Sequence, residues 1–277
     1  MSIATLARVH APTRRRLPVA RIVLIGFAAL VALWLVVPTL IVIPMSFTGA
    51  STFQFPPKSW STQWYANLFE DPTWSSALVS SVVIASLSAL AATVLGTAAA
   101  LGMRQRFPGR SVLTPFLLAP MVVPVVIIAI AIYAVFLPWG LTGTIPGFVA
   151  AHCALGLPFV FVTVGAGLER LDPQLSSAAA SLGASPSRTF RSVTLPLIAP
   201  SMLSGALFAF MASFDEVVVS IFLVTPARRT LPVEMYTSVT RDIDPTVAAA
   251  AAVIFVATTI LLSVGVVLQA RRRTSDA

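Results

Sequence analysis

The sequence predicts an all-α membrane protein with six transmembrane helices and a two-helix loop on the cytoplasmic side. Three observations lead to this fold class. Hydrophobic residues make up 57% of the 277 positions and charged residues only 10%, whereas soluble domains are about a quarter charged. The charges stand in short clusters between long apolar stretches, and the basic clusters alternate along the connections. A chain with so few polar side chains cannot cover a water-facing surface, so lipid is its expected solvent.

Five stretches without Asp, Glu, Lys or Arg mark the spans: 22–57, 72–103, 111–168, 192–214 and 245–270. The third is long enough for two helices, and the prolines and glycines between Pro138 and Gly147 break it into two. A helix needs about 20 apolar residues to cross the hydrocarbon core. We therefore predict spans at about 22–43, 75–103, 112–137, 147–168, 199–225 and 246–270.

The first span follows a basic segment, Arg14 to Arg16, as the apolar part of a signal peptide would. Its apolar run is longer than the roughly 7–15 residues of such a peptide, and no clean small-x-small cleavage site follows it. We therefore expect a retained helix. The outer loop after it, 44–74, carries aromatic side chains such as Trp60 and Trp64 that are typical of interfacial anchors. Reception of an external partner protein is the alternative role for this loop.

Basic residues predict the orientation of the chain. Of the 18 Lys and Arg residues, 14 lie in the N-terminal tail, the second–third connection, the fourth–fifth connection and the C-terminal tail. Cytoplasmic connections carry the excess of basic residues, so we expect both termini and the 169–200 loop to be cytoplasmic. The predicted organisation is a cytoplasmic tail (1–21), a first span (22–43), an outer loop (44–74), a core domain (75–270) and a second cytoplasmic tail (271–277).

The 169–200 loop contains two sets of helix start and stop signals. Asp172-Pro173 reads as an N-cap followed by proline at the first helical position, and the helix predicted over 174–182 ends at Gly183. Ser185-Pro186 repeats the start signal for a second short helix, which we expect to stop at Pro196. The first helix carries a run of small side chains that would let another backbone approach closely. A simple solvated connector would need neither these caps nor these small residues.

The spacing within this loop resembles a conserved pattern of ABC importer permeases. Ser177-Ala178-Ala179, then Gly183 after three residues, then Val193-Thr194-Leu195-Pro196 after nine, correspond to Glu-Ala-Ala, Gly and Ile-x-Leu-Pro in that family. In the family this coupling loop docks into a cleft of the ATP-hydrolysing subunit and passes its motion to the membrane helices. Ser177 lacks the carboxylate that the family often has, so a salt bridge to the ATPase at this position is not implied.

The resemblance covers about residues 60–270 and is strongest to permeases of the spermidine/putrescine class. It also rests on Trp64-Tyr65, on the end of the second span from Gly96 to Gly102, on the 214–220 stretch Phe-Asp-Glu-Val-Val-Val-Ser, and on Leu231-Pro232 with Tyr236.

The resemblance implies a set of partners and a location. The chain would be a permease subunit in the cell inner membrane, working with ABC ATPase subunits, a second permease subunit that is a different chain, and an external or periplasmic solute-binding protein. We expect no cofactor and no catalytic residue in this chain, and ATP would be bound by the partner ATPase. No phosphate loop of the GxxxxGK[ST] type occurs in these 277 residues.

Asp215 and Glu216 are the acids that fall deep in a predicted span, the fifth. An intramembrane carboxylate is costly and is therefore a functional candidate. Counted from Ser201, Asp215 would lie about 21 Å along the helix, in the outer half of the membrane. Adjacent residues point about 100° apart on a helix, so we expect Asp215 to line the solute pathway and Glu216 to face a neighbouring helix or the outer vestibule. A carboxylate there would attract a polyamine ammonium, whereas pairing with an arginine at 228 or 229 is the alternative.

The remaining polar residues predict structural roles. We expect His152 in the fourth span to be hydrogen-bonded to a neighbouring helix, with a proton relay as the alternative. Asp244, just before Pro245, is expected to cap the last span. Two histidines and one cysteine, Cys153, exclude an internal disulfide and give no pattern for a metal site. The basic clusters lack interleaved aromatics, so nucleic acid is not an expected partner.

Three alternative functions follow from the same residues. The substrate could be another solute of the family (an iron complex, sulfate, thiamine or a phosphonate), because specificity in these importers lies largely in the binding protein. An ion-coupled secondary carrier is a second alternative, but such carriers usually have internal repeats, and the two halves of this chain have no clear repeat. A non-transporting scaffold is the third, and it would have no reason to keep acids at depth.

Overall fold

The computed structural model describes residues 19–105, 107–242 and 244–275. Within these ranges the chain is predominantly helical and has no strand, only isolated β-bridges at Thr48–Trp60 and Thr225–Arg228. The all-α class is thereby confirmed. Most of the predicted N-terminal tail, with Arg8, Arg14, Arg15 and Arg16, lies outside the described residues, as do Arg106 and the last two residues. The α-helices described are α1 (Val19–Met45), α2 (Gln63–Glu70), α3 (Pro72–Gly102), α4 (Arg110–Val122), α5 (Val125–Phe136), α6 (Ile145–Glu169), α7 (Pro173–Ser181), α8 (Pro186–Thr189), α9 (Leu195–Phe214), α10 (Val218–Leu223), α11 (Leu231–Thr237) and α12 (Thr246–Ser275).

Several of these helices are long and apolar enough to cross a membrane. Four qualify singly within the described residues: Arg21–Met45, Pro72–Gly102, Ile145–Glu169 and Pro186–Phe214. The bent pair α4 and α5 gives a fifth if it is counted as one span. Among the described residues, the apolar segment Thr246–Ile260 of α12 is shorter than these helices.

The third span is not the single helix predicted over 112–137. It divides into α4 and α5, which meet at an angle of 105°. Val123 between them has extended backbone (φ −72°, ψ 133°) and is followed by Pro124. A proline ring clashes with helical backbone in the residue before it, so Val123 is driven out of the α region. The prediction was wrong because the apolar run was continued through this proline.

The fifth span is also interrupted, so the helix predicted over 199–225 is wrong in its second half. The helix α9 ends at Phe214 and α10 begins at Val218. The residues between them are Asp215, Glu216 and Val217, which contain neither proline nor glycine. The two acids therefore lie at a helix break rather than on the side of a helix.

The core of the molecule is the packing of α3, α6 and α9 against one another. Small residues allow their backbones to come close. A Cβ added to Gly205 on α9 would lie 2.9 Å from the Cα of Val160 on α6, and one added to Gly96 on α3 would lie 2.7 Å from the Val160 Cβ. Val160 itself is fully buried. Small residues at helix contacts are characteristic of packing in lipid, where the hydrophobic effect does not drive helices together.

The segment 44–74, predicted to be the outer loop, is hydrogen-bonded to the beginning of α12. The Asn67 side chain on α2 donates a hydrogen bond to the Thr246 hydroxyl (2.8 Å), and the Trp74 indole donates to a carboxylate oxygen of Asp244 (3.2 Å). The other oxygen of Asp244 accepts from the backbone N–H (2.9 Å) and the hydroxyl of Thr246. The predicted capping role of Asp244 is confirmed, and the indole contact adds a link between α3 and α12.

Candidate functional site

The break between α9 and α10 sets the position of both acids. Asp215 ends α9, with its backbone N–H donating to the Met211 carbonyl, and its own backbone (φ −90°, ψ 0°) leaves the regular helix. The Asp215 side chain is exposed, and Glu216 is partly buried. The predicted depth of Asp215 and the predicted 100° angle between Asp215 and Glu216 required an unbroken helix, so neither applies. The break sets the orientations of the two side chains instead.

Glu216 forms the beginning of the next helix. One of its carboxylate oxygens accepts a hydrogen bond from the backbone N–H of Val219 at 2.7 Å. The first N–H groups of a helix have no partner within the helix, and a carboxylate that accepts from them stabilises the helix start. Glu216 thus stabilises α10, while Asp215 makes no such contact among the described residues.

Both acids line a cleft of about 790 Å³. The rest of its wall is almost entirely apolar and aromatic, and the two carboxyl groups are the charged side chains of that wall. The cleft lies between α9, α6, α11 and the first half of α12. Its larger apolar lining residues are Phe159, Phe208, Met211, Met235, Ile254 and Phe255. A carboxylate beside aromatic faces is a suitable environment for an ammonium group.

The side chains of Arg228 and Arg229 contact groups other than the two acids. Arg229 forms an ion pair with Glu234 at 3.0 Å, and the Arg228 Nε donates to the Gly143 carbonyl oxygen at 3.2 Å. Glu234 is buried. In the part of the chain that the structure describes, the alternative pairing of Asp215 or Glu216 with either arginine is therefore not formed.

His152 lies on α6, next to the break between α9 and α10. Its side chain is buried, with Nδ1 at 2.8 Å from the Ser213 hydroxyl and Nε2 at 3.1 Å from the Ser220 hydroxyl. The predicted hydrogen bond to a neighbouring helix is confirmed. Neither serine was predicted as a partner of His152. The available signal was their separation of seven residues, which places two polar side chains on the same face of a predicted span.

The first helix of the 169–200 loop has the predicted caps. The Asp172 carboxylate accepts from the Gln174 N–H at 2.9 Å. The helix ends at Ser181, and Gly183, two residues later, has a φ of 79° and closes it. The Gly183 N–H donates to the Ala180 carbonyl and the Ala184 N–H to the Ala179 carbonyl, at 2.9 and 3.0 Å. These two bonds form the Schellman arrangement, which requires a left-handed residue and so favours glycine.

The second helix of this loop does not stop at Pro196, and that prediction was wrong. The helix α8 begins at the Ser185 cap, passes through a π-helical turn at Phe190–Thr194 and continues without interruption into α9. The Leu195 N–H donates to the Phe190 carbonyl, five residues back. A proline within a helix loses one hydrogen bond and crowds the preceding turn, and the wider π turn accommodates that ring.

The predicted docking residues lie at the surface of this loop. Ser177 and Ala178 on α7 are exposed, as are Gly183 and Pro196, whereas Ala179, Val193 and Leu195 are partly buried. Leu182, at the end of α7, has 89% of its side chain exposed. The helix α7 and its C-cap thus present small side chains and two large apolar side chains, Leu175 and Leu182, without cover from the rest of the described chain.

Comparison with known proteins decides the family. Residues 92–274 match the family described as the binding-protein-dependent transport system inner membrane component. The chain belongs to this family. It is 33% identical to the putrescine transport system permease protein PotI of Escherichia coli strain K12, over 91% of this chain and 90% of that protein. It is 31% identical to the spermidine/putrescine transport system permease protein PotC of the same strain, over 86% and 90%. The resemblance stated from the loop is confirmed, and the chain is an inner-membrane permease of the ABC importer class.

More distant relatives carry other substrates in their names. The trehalose transport system permease protein SugB of Mycobacterium tuberculosis is 28% identical over 87% of this chain. Among solved structures, a bacterial ABC transporter for import of the acidic polysaccharide alginate matches 95% of this chain with a TM-score of 0.68 and 17% identity. An amino acid ABC transporter matches 75% with a TM-score of 0.57 and 20% identity. These structures support the permease fold alone.

Proposed function

We propose that this permease forms the solute pathway of an ATP-driven importer for polyamines such as putrescine and spermidine. One observation carries the substrate class: the charged side chains in the wall of a large, otherwise apolar cleft are two carboxyl groups, Asp215 and Glu216. A polyamine has ammonium groups for the carboxylates and methylene segments for the apolar wall. The named substrates of the PotI and PotC relatives agree with this assignment.

The two acids would have different roles. The Glu216 carboxylate is partly occupied by the Val219 N–H, so its first effect is to hold the start of α10. Asp215 is exposed and has no such partner in the described chain, so it is the group that meets the ammonium. The attraction between opposite charges in a cleft with low-dielectric walls is stronger than in water.

We infer that this chain has six spans and that the transport unit contains further chains. The sixth span is α12, and α4 with α5 form the third. ABC ATPase subunits would bind the cytoplasmic 169–200 loop, a second and different permease subunit would complete the pathway, and an external solute-binding protein would deliver the polyamine. The excess of basic residues on alternate connections supports cytoplasmic termini. The exposed small residues of α7 support docking into a groove of the ATPase.

The test is uptake of labelled putrescine and spermidine at low external concentration. Cells lacking the chain are compared with cells in which it is restored as wild type, Asp215→Asn, Glu216→Gln or Glu70→Gln. Glu70 is an exposed acid on α2 and serves as the control for loss of one negative charge. Asp215→Asn should lower uptake by about tenfold, which corresponds to about 1.4 kcal/mol of lost attraction, while the subunits still assemble.

The remaining variants separate the roles of the two acids. Glu216→Gln keeps an oxygen that can accept from Val219, so uptake should fall less than for Asp215→Asn. Glu70→Gln should transport normally. Restored uptake of trehalose, an amino acid or an anion in place of polyamines would discard the substrate assignment and leave the permease family untouched. Unchanged polyamine uptake by Asp215→Asn would remove the role given to that residue.

A further inference from the structure

A polar group of three side chains connects the two sides of the break in the fifth span. His152 on α6 contacts Ser213, two residues before Asp215, and Ser220, four residues after Glu216. All three side chains are buried. An imidazole ring offers one nitrogen on each side, and either serine hydroxyl can donate or accept. One histidine therefore satisfies both hydroxyls and is itself satisfied.

The two serines lie on either side of the interruption of the helix. Ser213 belongs to α9 and Ser220 belongs to α10. The ring nitrogens of His152 lie 2.8 Å from the Ser213 hydroxyl and 3.1 Å from the Ser220 hydroxyl. One side chain of α6 thus bridges the break at 215–217.

Both sides of the break are otherwise held on α6 and its neighbours. Below the break, the Gly156 backbone of α6 lies so close to α9 that an added Cβ would be 3.1 Å from the Cβ of Ala209. Above it, Val219 and Leu223 of α10 are fully buried in a cluster with Phe148. Between these two packed segments lie residues 215–217, which belong to neither helix. Among the residues that the structure describes, His152 is a side chain that is hydrogen-bonded to both segments.

We propose that His152 is a positioning residue for transport. By binding Ser213 and Ser220 at once, it fixes the angle between α9 and α10 and so aims the Asp215 carboxylate into the cleft. The proposal rests on the function assigned to that cleft. It gives a reason for a buried polar group where apolar side chains would fill the space without the cost of desolvating an imidazole.

The first test is the kinetics of polyamine uptake by the assembled complex. His152→Phe keeps a ring and removes both nitrogens, and Ser213→Ala and Ser220→Ala each remove one bond. The control is Ser88→Ala, which removes a buried hydroxyl bonded to the Val149 carbonyl at 3.3 Å, on the contact of α3 with α6. His152→Phe should raise the apparent KM about tenfold, the scale expected when hydrogen bonds that aim a charge are lost.

The pattern among combined variants distinguishes positioning from packing. Because the three side chains act as one unit, His152→Phe combined with either serine variant should raise KM no further than His152→Phe alone. Ser88→Ala should change only the amount of protein in the membrane. A His152→Phe chain with normal KM and reduced abundance would overturn the proposal, and so would additive effects on KM.

A second measurement does not depend on the substrate. In a Cys153→Ala background, which removes the chain's cysteine, Asp215→Cys reports the exposure of the break to a charged thiol reagent in the solubilised complex. Glu70→Cys, at an exposed position on α2, gives the reference rate. Adding His152→Phe should change the rate at position 215 by threefold or more relative to the reference, and adding Ser88→Ala should not. An unchanged labelling rate at position 215 would overturn the positioning role of His152. Absence of polyamine uptake by the wild type would overturn only the proposed substrate class.

Discussion

Replacement of Gly183 tests whether the turn between α7 and α8 must be left-handed. The residue has a φ of 79° and ends α7 with two turn hydrogen bonds. Apart from the glycine itself and its two chain neighbours, no atom of the described residues lies within 4 Å of a Cβ added at this position, so a larger side chain meets no steric obstacle there. Any effect of substitution must therefore come from the backbone conformation or from an external partner.

The magnitude follows from the backbone. For a residue with a Cβ, the left-handed conformation costs roughly 1–2 kcal/mol, which lowers the population of the correct turn by about 5–30-fold. Asparagine tolerates this conformation, and its side chain has nearly the shape of leucine. Gly183→Leu and Gly183→Asn thus form a matched pair in size that differs in backbone preference. We expect transport and ATPase binding to be abolished or strongly reduced in Gly183→Leu and largely kept in Gly183→Asn.

The assay is recovery of the ATPase subunit with the affinity-purified permease, followed by solute-stimulated ATP hydrolysis in the complex. Gly183→Ala adds the smallest side chain, and its recovery of the ATPase should resemble that of the leucine variant rather than that of the asparagine variant. Equal and normal ATPase recovery in all three variants would refute the reasoning, because the left-handed turn would then have no consequence. Equal loss in all three would refute it as well, since that result would point to bulk at the docking surface.

Three further predictions follow from the packing and the caps. Gly205→Ala should lower the melting temperature of the complex, because the added Cβ would lie too close to the Val160 backbone. The control is Gly165→Ala, where an added Cβ meets no described neighbour, and its melting temperature should equal that of the wild type within error. Asp244→Ala should destabilise the chain by about 1–3 kcal/mol, from the lost cap and the unpartnered Trp74 indole, and an unchanged unfolding midpoint would contradict the cap. Glu234→Gln removes a partly buried ion pair and should increase protease cleavage of the 225–231 connection severalfold; an unchanged cleavage pattern would assign that connection's order to other contacts.

The features that could be predicted from the sequence are those fixed by neighbours in the chain. The caps at Asp172 and Asp244 bind backbone groups two residues away, so their partners stand beside them in the sequence. The left-handed end of α7 is likewise announced by a glycine. The helical class and the apolar segments followed from composition, because a chain of this hydropathy has one workable solvent.

The features that escaped prediction depend on distant residues or on competing local rules. The break at 215–217 has no proline or glycine to announce it, and the contacts that hold it come from His152, about sixty residues earlier, and from the Glu216 cap. At Pro196 the opposite error occurred, since a proline was taken as a stop and the π turn before it carries the helix through. At Pro124 the helix was predicted to continue because the run is apolar, although the proline does break it. Periodicity and composition alone do not show whether a given proline interrupts a helix or is accommodated in it.

The helical stretch from Pro186 to Phe214 connects the 169–200 loop directly with the break that carries the two acids. Its 29 residues span about 43 Å at about 1.5 Å per residue, with the 169–200 loop at one end and the acid-bearing break at the other. A tilt of about 10° around its midpoint would carry each end through about 4 Å, roughly the width of a methylene chain, in opposite directions. If the π turn at Phe190–Thr194 stays rigid, we expect a small tilt at the loop end to change the opening beside Asp215.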